Sequence, residues 1–131
     1  MTRLFSRGFS LKKYLYISLG AMIGAILRFS ISIVAASLAL PFFAGTLIVN
    51  MSGAFGAGLL LAKLKEQDVY LRNFLVTGLL GGFTTFSLLA YEQYVLVSSG
   101  DYIIFGVYSV INMFGGMTLA MFGYKAGGIR S

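Results

Sequence analysis

The sequence of 131 residues contains no cysteine and no histidine. Their absence removes disulfides, thiolate nucleophiles, imidazole bases and the usual protein ligands of zinc. Acidic residues are also scarce, and Glu92 is the only one of the four that falls within an apolar segment. An enzyme is therefore not expected, because the chain lacks a set of nucleophile and base.

Apolar residues make up 58% of the chain and the mean hydropathy is +0.88, whereas soluble domains are roughly 45–50% apolar. The composition predicts an all-α membrane protein in which residues 1–131 form a single transmembrane domain. Each apolar run is long enough for the roughly 20 residues that a bilayer requires. We expect four transmembrane helices, at about 14–40, 42–64, 74–98 and 102–124.

The first apolar run follows a basic segment, as a signal peptide would. A signal peptide normally has an apolar region of about 7–15 residues, whereas this run extends to the only proline, Pro41, and contains Arg28. It is therefore interpreted as the first transmembrane helix.

Lysine and arginine are distributed one-sidedly. With four spans, the two termini and the second loop lie on one side, which carries nine of the ten basic residues, and the opposite loops carry none. By the positive-inside rule both termini are expected in the cytoplasm, with the chain as a multi-pass protein of the cell membrane. The basic surplus then reports orientation in the lipid bilayer and does not indicate nucleic-acid binding.

The segment from Gly81 to Ser87, Gly-Gly-Phe-Thr-Thr-Phe-Ser, lies near the midpoint of the third run. Paired glycines disfavour a helix interior, and Thr and Ser side chains compete for backbone groups. We expect the third helix to be broken here, and such backbone persists in a membrane only if protein buries it or it lines a polar cavity. Phe83 and Phe86 are typical of lipid-facing or core rings, but beside a break their positive ring edges can also solvate a small anion.

Two asparagines, an arginine and a glutamate also fall within the spans. Asn50, on one helical face with Thr46 and Gly53, and Asn112, one turn after Tyr108, either bond a neighbouring helix or serve the break. Arg28 is either functional or extends to an interface, and we expect Glu92 nearer a vestibule than the midplane.

Small residues are abundant. Gly20 with Gly24, and Gly78 with Gly82, have the spacing that lets helices approach closely in lipid. Seventeen glycines exceed what packing within one small bundle requires, so we expect an oligomer.

Three ordered motifs resemble the bacterial fluoride channels of the Fluc or CrcB family, and the likeness covers nearly the whole chain. They are Gly20-Ala-Met-Ile-Gly-Ala-Ile-Leu-Arg-Phe29, Gly45-Thr-Leu-Ile-Val-Asn-Met-Ser-Gly-Ala-Phe55 and Gly78-Leu-Leu-Gly-Gly-Phe-Thr-Thr-Phe-Ser87, with Glu92 beyond.

The resemblance implies an antiparallel, dual-topology dimer with two fluoride pores and a central structural sodium ion that is not transported. The backbone carbonyls of Gly81 and Thr84 match the family's sodium positions. The resemblance matches further residues to the pore: Asn50 as the pore amide, Phe86 as its first phenylalanine, Thr85 and Ser87 in the hydroxyl-rich break that also holds Phe83, and Tyr108 and Asn112 on the polar track of the fourth helix. Arg28 and Glu92 are expected to support it.

The chain departs from the family pattern at three positions. Leu89 stands where the second pore phenylalanine is expected, Leu88 replaces a hydroxyl residue, and Gly116 lies where a serine is often found. A leucine has no positive ring edge, so a pore using position 89 should conduct poorly. With the one-sided charge, this leads to the hypothesis of a heterodimer whose partner is a homologue inserted the other way.

The leading function is therefore passive, selective export of fluoride from the cytoplasm, which relieves its toxicity. One alternative is a small multidrug-type exchanger, although that would need a carboxylate in the first helix, where Arg28 stands. Another is a non-conducting accessory subunit of a heterodimeric fluoride channel.

Overall fold

The computed structural model describes residues 11–128, in which all regular structure is helical. Arg3, Arg7 and Arg130, three of the basic residues used to predict the orientation, lie outside this part. Four helical spans are long and apolar enough to cross a membrane, which confirms the predicted fold class of four transmembrane helices. They are the first span Leu11–Ser37, the second span Ala44–Lys63, the third span Val69–Ser98 and the fourth span Tyr102–Gly128.

The helix ends differ from the predicted limits by up to five residues. The first span ends at Ser37 rather than at position 40, because the residue before Pro41 is biased away from helix and Ala39 already has a positive φ of 53°. The third span begins at Val69 rather than at 74, since helix continues through the polar Arg72. Hydropathy locates the apolar part of a span, which is not the same as the hydrogen-bonded helix.

A very tight turn connects the last two spans. Gly100 has a φ of 80°, a conformation that side chains disfavour. The amide of Asp101 donates to Leu96 O at 2.9 Å, and the amide of Gly100 donates to Val97 O at 3.1 Å. These bonds close the end of the third span and reverse the chain within three residues.

The third span is broken where the sequence predicts a break. Helix persists through Gly81–Phe83, Thr84 is extended with φ −80° and ψ 160°, and helix resumes at Ser87. Two stretches of π-helix, Asn73–Leu80 and Ile111–Gly115, are additional features that the sequence pattern does not reveal.

Glycines bring the spans together in two pairs. The first span packs on the third, where a Cβ on Gly24 would lie 2.8 Å from Phe83 N and one on Gly78 would lie 2.5 Å from Ile17 O. The second span packs on the fourth, where a Cβ on Gly58 would lie 2.8 Å from Tyr124 N. The predicted glycine faces are thus used within one chain, whereas a Cβ on Gly81 or Gly106 would meet nothing within 4 Å. The oligomer expected from the glycine count stays a prediction.

The chain buries few apolar side chains of its own: among the described residues these are Ala35, Val49, Leu96 and Tyr108. Most large apolar side chains point outward along all four spans. This distribution is expected in lipid, where outward apolar surface costs nothing and close backbone packing holds helices together.

The contact between the second and fourth spans gives a direct stability prediction. Gly58→Ala places a methyl group against the backbone of the fourth span and should destabilise the fold by about 2 kcal/mol or more, because backbone cannot move aside as a flexible side chain can. Thermal unfolding in detergent measures this. Gly106→Ala is the matched control, because a Cβ there meets nothing within 4 Å; equal unfolding temperatures for the two variants would contradict the packing.

Candidate functional site

Asn50 of the second span lies directly against the break. Its Oδ1 accepts a hydrogen bond from Thr85 N at 2.9 Å, and its Nδ2 donates to Thr85 O at 3.0 Å. The Asn50 side chain therefore pairs with both backbone groups of one residue, as a neighbouring strand would. Nδ2 also lies 3.3 Å from Asn112 Oδ1 in the fourth span, so three spans meet at this amide.

Two amides at the break depart from the helical pattern, in which each amide donates to the carbonyl four residues earlier. In a continuous helix Thr85 N would donate to Gly81 O, and Leu88 N would donate to Thr84 O. Instead, Thr85 N donates to Asn50 Oδ1 and Leu88 N donates to Thr85 Oγ1 at 3.2 Å. The carbonyls of Gly81 and Thr84 are thus left without their usual donors. Carbonyl oxygens are ligands that suit a hard cation, so this donor set fits the sodium ion that the family resemblance implies.

A groove of about 730 Å³ opens along this side of the bundle. Its walls carry Asn50, Thr85 and Phe86 at the break, with Gly81 and Thr84 beside them and Asn112 next to Asn50. None of the groove-lining side chains that the structure describes is charged. The groove therefore offers amides, hydroxyls and a ring without a fixed charge.

The break separates the two phenylalanines. Phe86 projects into the groove with 80% of its surface exposed. Phe83 is half-buried and its ring packs beside Gly53 of the second span, where a Cβ would lie 3.3 Å from Phe83 Cδ1. The structure places Phe86, and not Phe83, among the groove-lining residues.

Glu92 forms a buried cluster on another face of the same helix. Only 3% of its surface is exposed; Thr46 Oγ1 donates to Glu92 Oε1 at 2.7 Å, and Tyr108 OH donates to Oε2 at 2.5 Å. A buried carboxylate with two hydroxyl donors is well satisfied, and it borders a separate cavity of about 440 Å³. Glu92 is thus buried at the edge of this second cavity, and its place near a vestibule stays a prediction.

The remaining predicted residues surround these two centres. Ser87 is exposed at the break, with its hydroxyl 3.3 Å from Thr85 Oγ1. Tyr108 is buried with Glu92 and is connected to the groove through Asn112, whose Nδ2 donates to Tyr108 O at 3.0 Å. Arg28 has a buried Nε that makes no hydrogen bond to any residue the structure describes.

The sequence pattern assigns no role to Thr46 or to the contact between Gln93 and Ser109. Thr46 lies on the same helical face as Asn50. A lone carboxylate in a membrane span needs hydrogen-bond donors, and that need could have pointed from Glu92 to Thr46. Gln93 lies seven residues after Phe86, a spacing that puts both on one helical face.

Replacing Asn50 should open the break. In Asn50→Leu the shape is nearly kept, but both backbone groups of Thr85 lose their partner, and each unsatisfied group costs about 1–3 kcal/mol. Amide hydrogen exchange at Thr85 should become faster. Ser52→Ala is the control, since the exposed Ser52 hydroxyl bonds only within its own helix, to Ile48 O at 2.6 Å; slow exchange at Thr85 in Asn50→Leu would refute this role.

Known proteins resemble this chain over most of its length. The family description "CrcB-like protein, Camphor Resistance (CrcB)" matches residues 15–124. The fluoride-specific ion channel FluC of Roseiflexus sp. is 49% identical over 106 residues, which cover 76% of this chain and 82% of the relative. Proteins of the same name from Chloroflexus aurantiacus and Thermus thermophilus are 43% and 39% identical, covering 86% and 90% of this chain and 93% and 97% of the relatives.

The family match covers more than half of the chain, and each of these relatives exceeds 30% identity over more than two thirds of it. The chain therefore belongs to the CrcB-like protein family.

Proposed function

We propose that this protein is a subunit of a fluoride-selective channel that lets fluoride leave the cytoplasm passively. The observation that carries the proposal is the groove at the helix break, with its neutral donors and no charged side chain among the described lining residues. Relatives named fluoride-specific ion channels support the choice of ion.

Fluoride is a small anion that accepts strong hydrogen bonds, so it must exchange its hydration for comparable donors. The groove supplies one N–H of Asn112, whose other N–H bonds Tyr108 O, together with the Thr85 hydroxyl and the positive ring edge of Phe86. Asn50 lines the groove and holds the break, with its two N–H groups directed to Thr85 O and Asn112 Oδ1. A lysine or arginine in the groove would hold the anion too tightly, whereas conduction requires binding that is weak enough to release the ion.

A second subunit is part of the proposal. Asn50 and Asn112 line a groove that the single chain leaves open, and exposed polar groups are costly against lipid. A partner covering the groove removes that cost and completes an ion path, either a second copy or a homologue inserted the opposite way. The one-sided charge favours the homologue, with this chain's termini in the bacterial cytoplasm.

Sodium is proposed as a structural ion held by the backbone carbonyls of Gly81 and Thr84. The diverted amides of Thr85 and Leu88 support it, because they leave these two oxygens without their usual donors. When bound, sodium would neutralise the partial negative charge of the carbonyls and stabilise the extended backbone at Thr84.

Sodium should therefore stabilise the assembled protein. At a sodium concentration about 100 times the dissociation constant the gain is about 2.7 kcal/mol, so the unfolding temperature should fall when sodium is exchanged for N-methylglucamine and recover when it is returned. Equal unfolding temperatures in the two salts would refute the ion site.

Fluoride efflux from liposomes tests the function itself. Vesicles loaded with potassium fluoride should release fluoride, and matched vesicles loaded with potassium chloride should retain chloride. A homodimer does this with this chain alone, and a heterodimer does it only with the co-expressed homologue. Protein-free vesicles give the background rate. If efflux requires the homologue, a further control contains the homologue alone. Equal efflux in that control would make this chain a non-conducting accessory subunit.

The multidrug-type exchanger has less support. Such an exchanger would need a carboxylate in the first helix, and Leu11–Ser37 contains neither Asp nor Glu. Absence of fluoride efflux together with proton-coupled uptake of a cationic dye would reverse this preference.

A further inference from the structure

The groove extends beyond the break along the second half of the third span. Phe86, Leu89 and Gln93 all line it, at spacings of three and seven residues that put them on one face of the helix. Gln93 is thus the next polar side chain on the wall after Leu89, about 10 Å from Phe86 along the helix axis at 1.5 Å per residue.

The orientation of the Gln93 amide follows from its partner. Gln93 Nε2 lies 2.8 Å from Ser109 Oγ, and that hydroxyl donates its proton to Phe105 O at 2.7 Å. Since the serine proton is already used, the serine oxygen must accept from Gln93, which fixes Nε2 rather than Oε1 toward Ser109. This is the one hydrogen bond that the glutamine side chain makes to the residues the structure describes.

An amide nitrogen carries two hydrogens, so one N–H of Gln93 is free to serve the groove. The serine bond holds this donor in place on the groove wall and reduces the conformational freedom that would otherwise be lost on binding an ion. Ser109 lies three residues from Asn112 on the fourth span, and both line the groove. Neutral donors therefore continue outward past Leu89.

We propose that Gln93, positioned by Ser109, is a fluoride-binding residue of the groove and supplies the donor that Leu89 lacks. The proposal rests on the proposed function. It assigns this chain an ion path in which an amide N–H replaces an aromatic ring edge beyond the break, so that a leucine at position 89 does not close the path.

Three variants test the proposal in whichever assembly conducts, the chain alone or the chain with its homologue. Gln93→Met keeps the side-chain length and removes the donor; because a hydrogen bond to a charged group is among the stronger ones, fluoride efflux should fall about tenfold and its half-saturating concentration should rise. Tyr94→Phe is the matched control, because the neighbouring Tyr94 is 69% exposed and does not line the groove. It should conduct as the unmodified protein does.

Gln93→Glu separates ion binding from a structural role. The Ser109 hydroxyl can rotate and donate to the new carboxylate, so a purely structural bond survives, whereas a negative charge in the path repels fluoride. Efflux should be lost while the unfolding temperature and the elution volume of the assembly stay unchanged.

The outcomes are distinct. Unchanged efflux in Gln93→Met, or conduction by Gln93→Glu at the normal rate, overturns the role of Gln93 and leaves the channel function standing. Loss of efflux in Gln93→Met with dissociation of the assembly assigns Gln93 to the subunit contact and also overturns the proposal. No fluoride efflux from the unmodified protein, alone or with the homologue, overturns the proposed function and this inference with it.

Discussion

The pairing of Asn50 with Thr85 is the interaction on which the rest of the site depends. A broken helix at membrane depth leaves backbone groups that lipid cannot satisfy. One amide side chain satisfies both groups of Thr85, at 2.9 Å and 3.0 Å, and it does so from a neighbouring span. The break is therefore a contact between spans as much as a local property of the third helix.

The same pairing explains why one short segment can present both anion and cation ligands. Once Thr85 N bonds to Asn50, the carbonyl of Gly81 loses its helical donor, and the extended Thr84 turns the following Phe86 outward. Oxygens and a ring edge thus become accessible together. Asn112 joins the arrangement through Asn50, which ties the fourth span to the geometry of the break.

The sequence predicted which residues form this site better than it predicted which way their side chains face. The Gly-Gly-Phe-Thr-Thr segment locates the break, and an amide in the middle of the second span must find partners, so both could be predicted from local chemistry. Phe83 and Phe86 could not be told apart, because residues three apart in a continuous helix lie on the same face. The extended Thr84 between them turns the two rings to different faces. The contact of Thr46 with Glu92 joins residues 46 apart in the sequence. It depends on how the second and third spans pack against each other, and residue spacing within one helix gives no information about that packing.

The position of Glu92 has a consequence for the electrostatics of the groove. The helix that carries Phe86 and Gln93 on one wall also carries the only carboxylate within the apolar part of the described spans, one residue before Gln93. Neighbouring residues on a helix point about 100° apart, and Glu92 is turned into a pocket where Thr46 and Tyr108 each donate a hydroxyl proton to it. Those hydroxyls occupy both carboxylate oxygens outside the groove, so Glu92 does not compete for the donors that face the groove. The groove wall therefore carries no charged side chain among the described residues: no cation there can trap an anion, and the carboxylate of Glu92 borders the separate cavity instead.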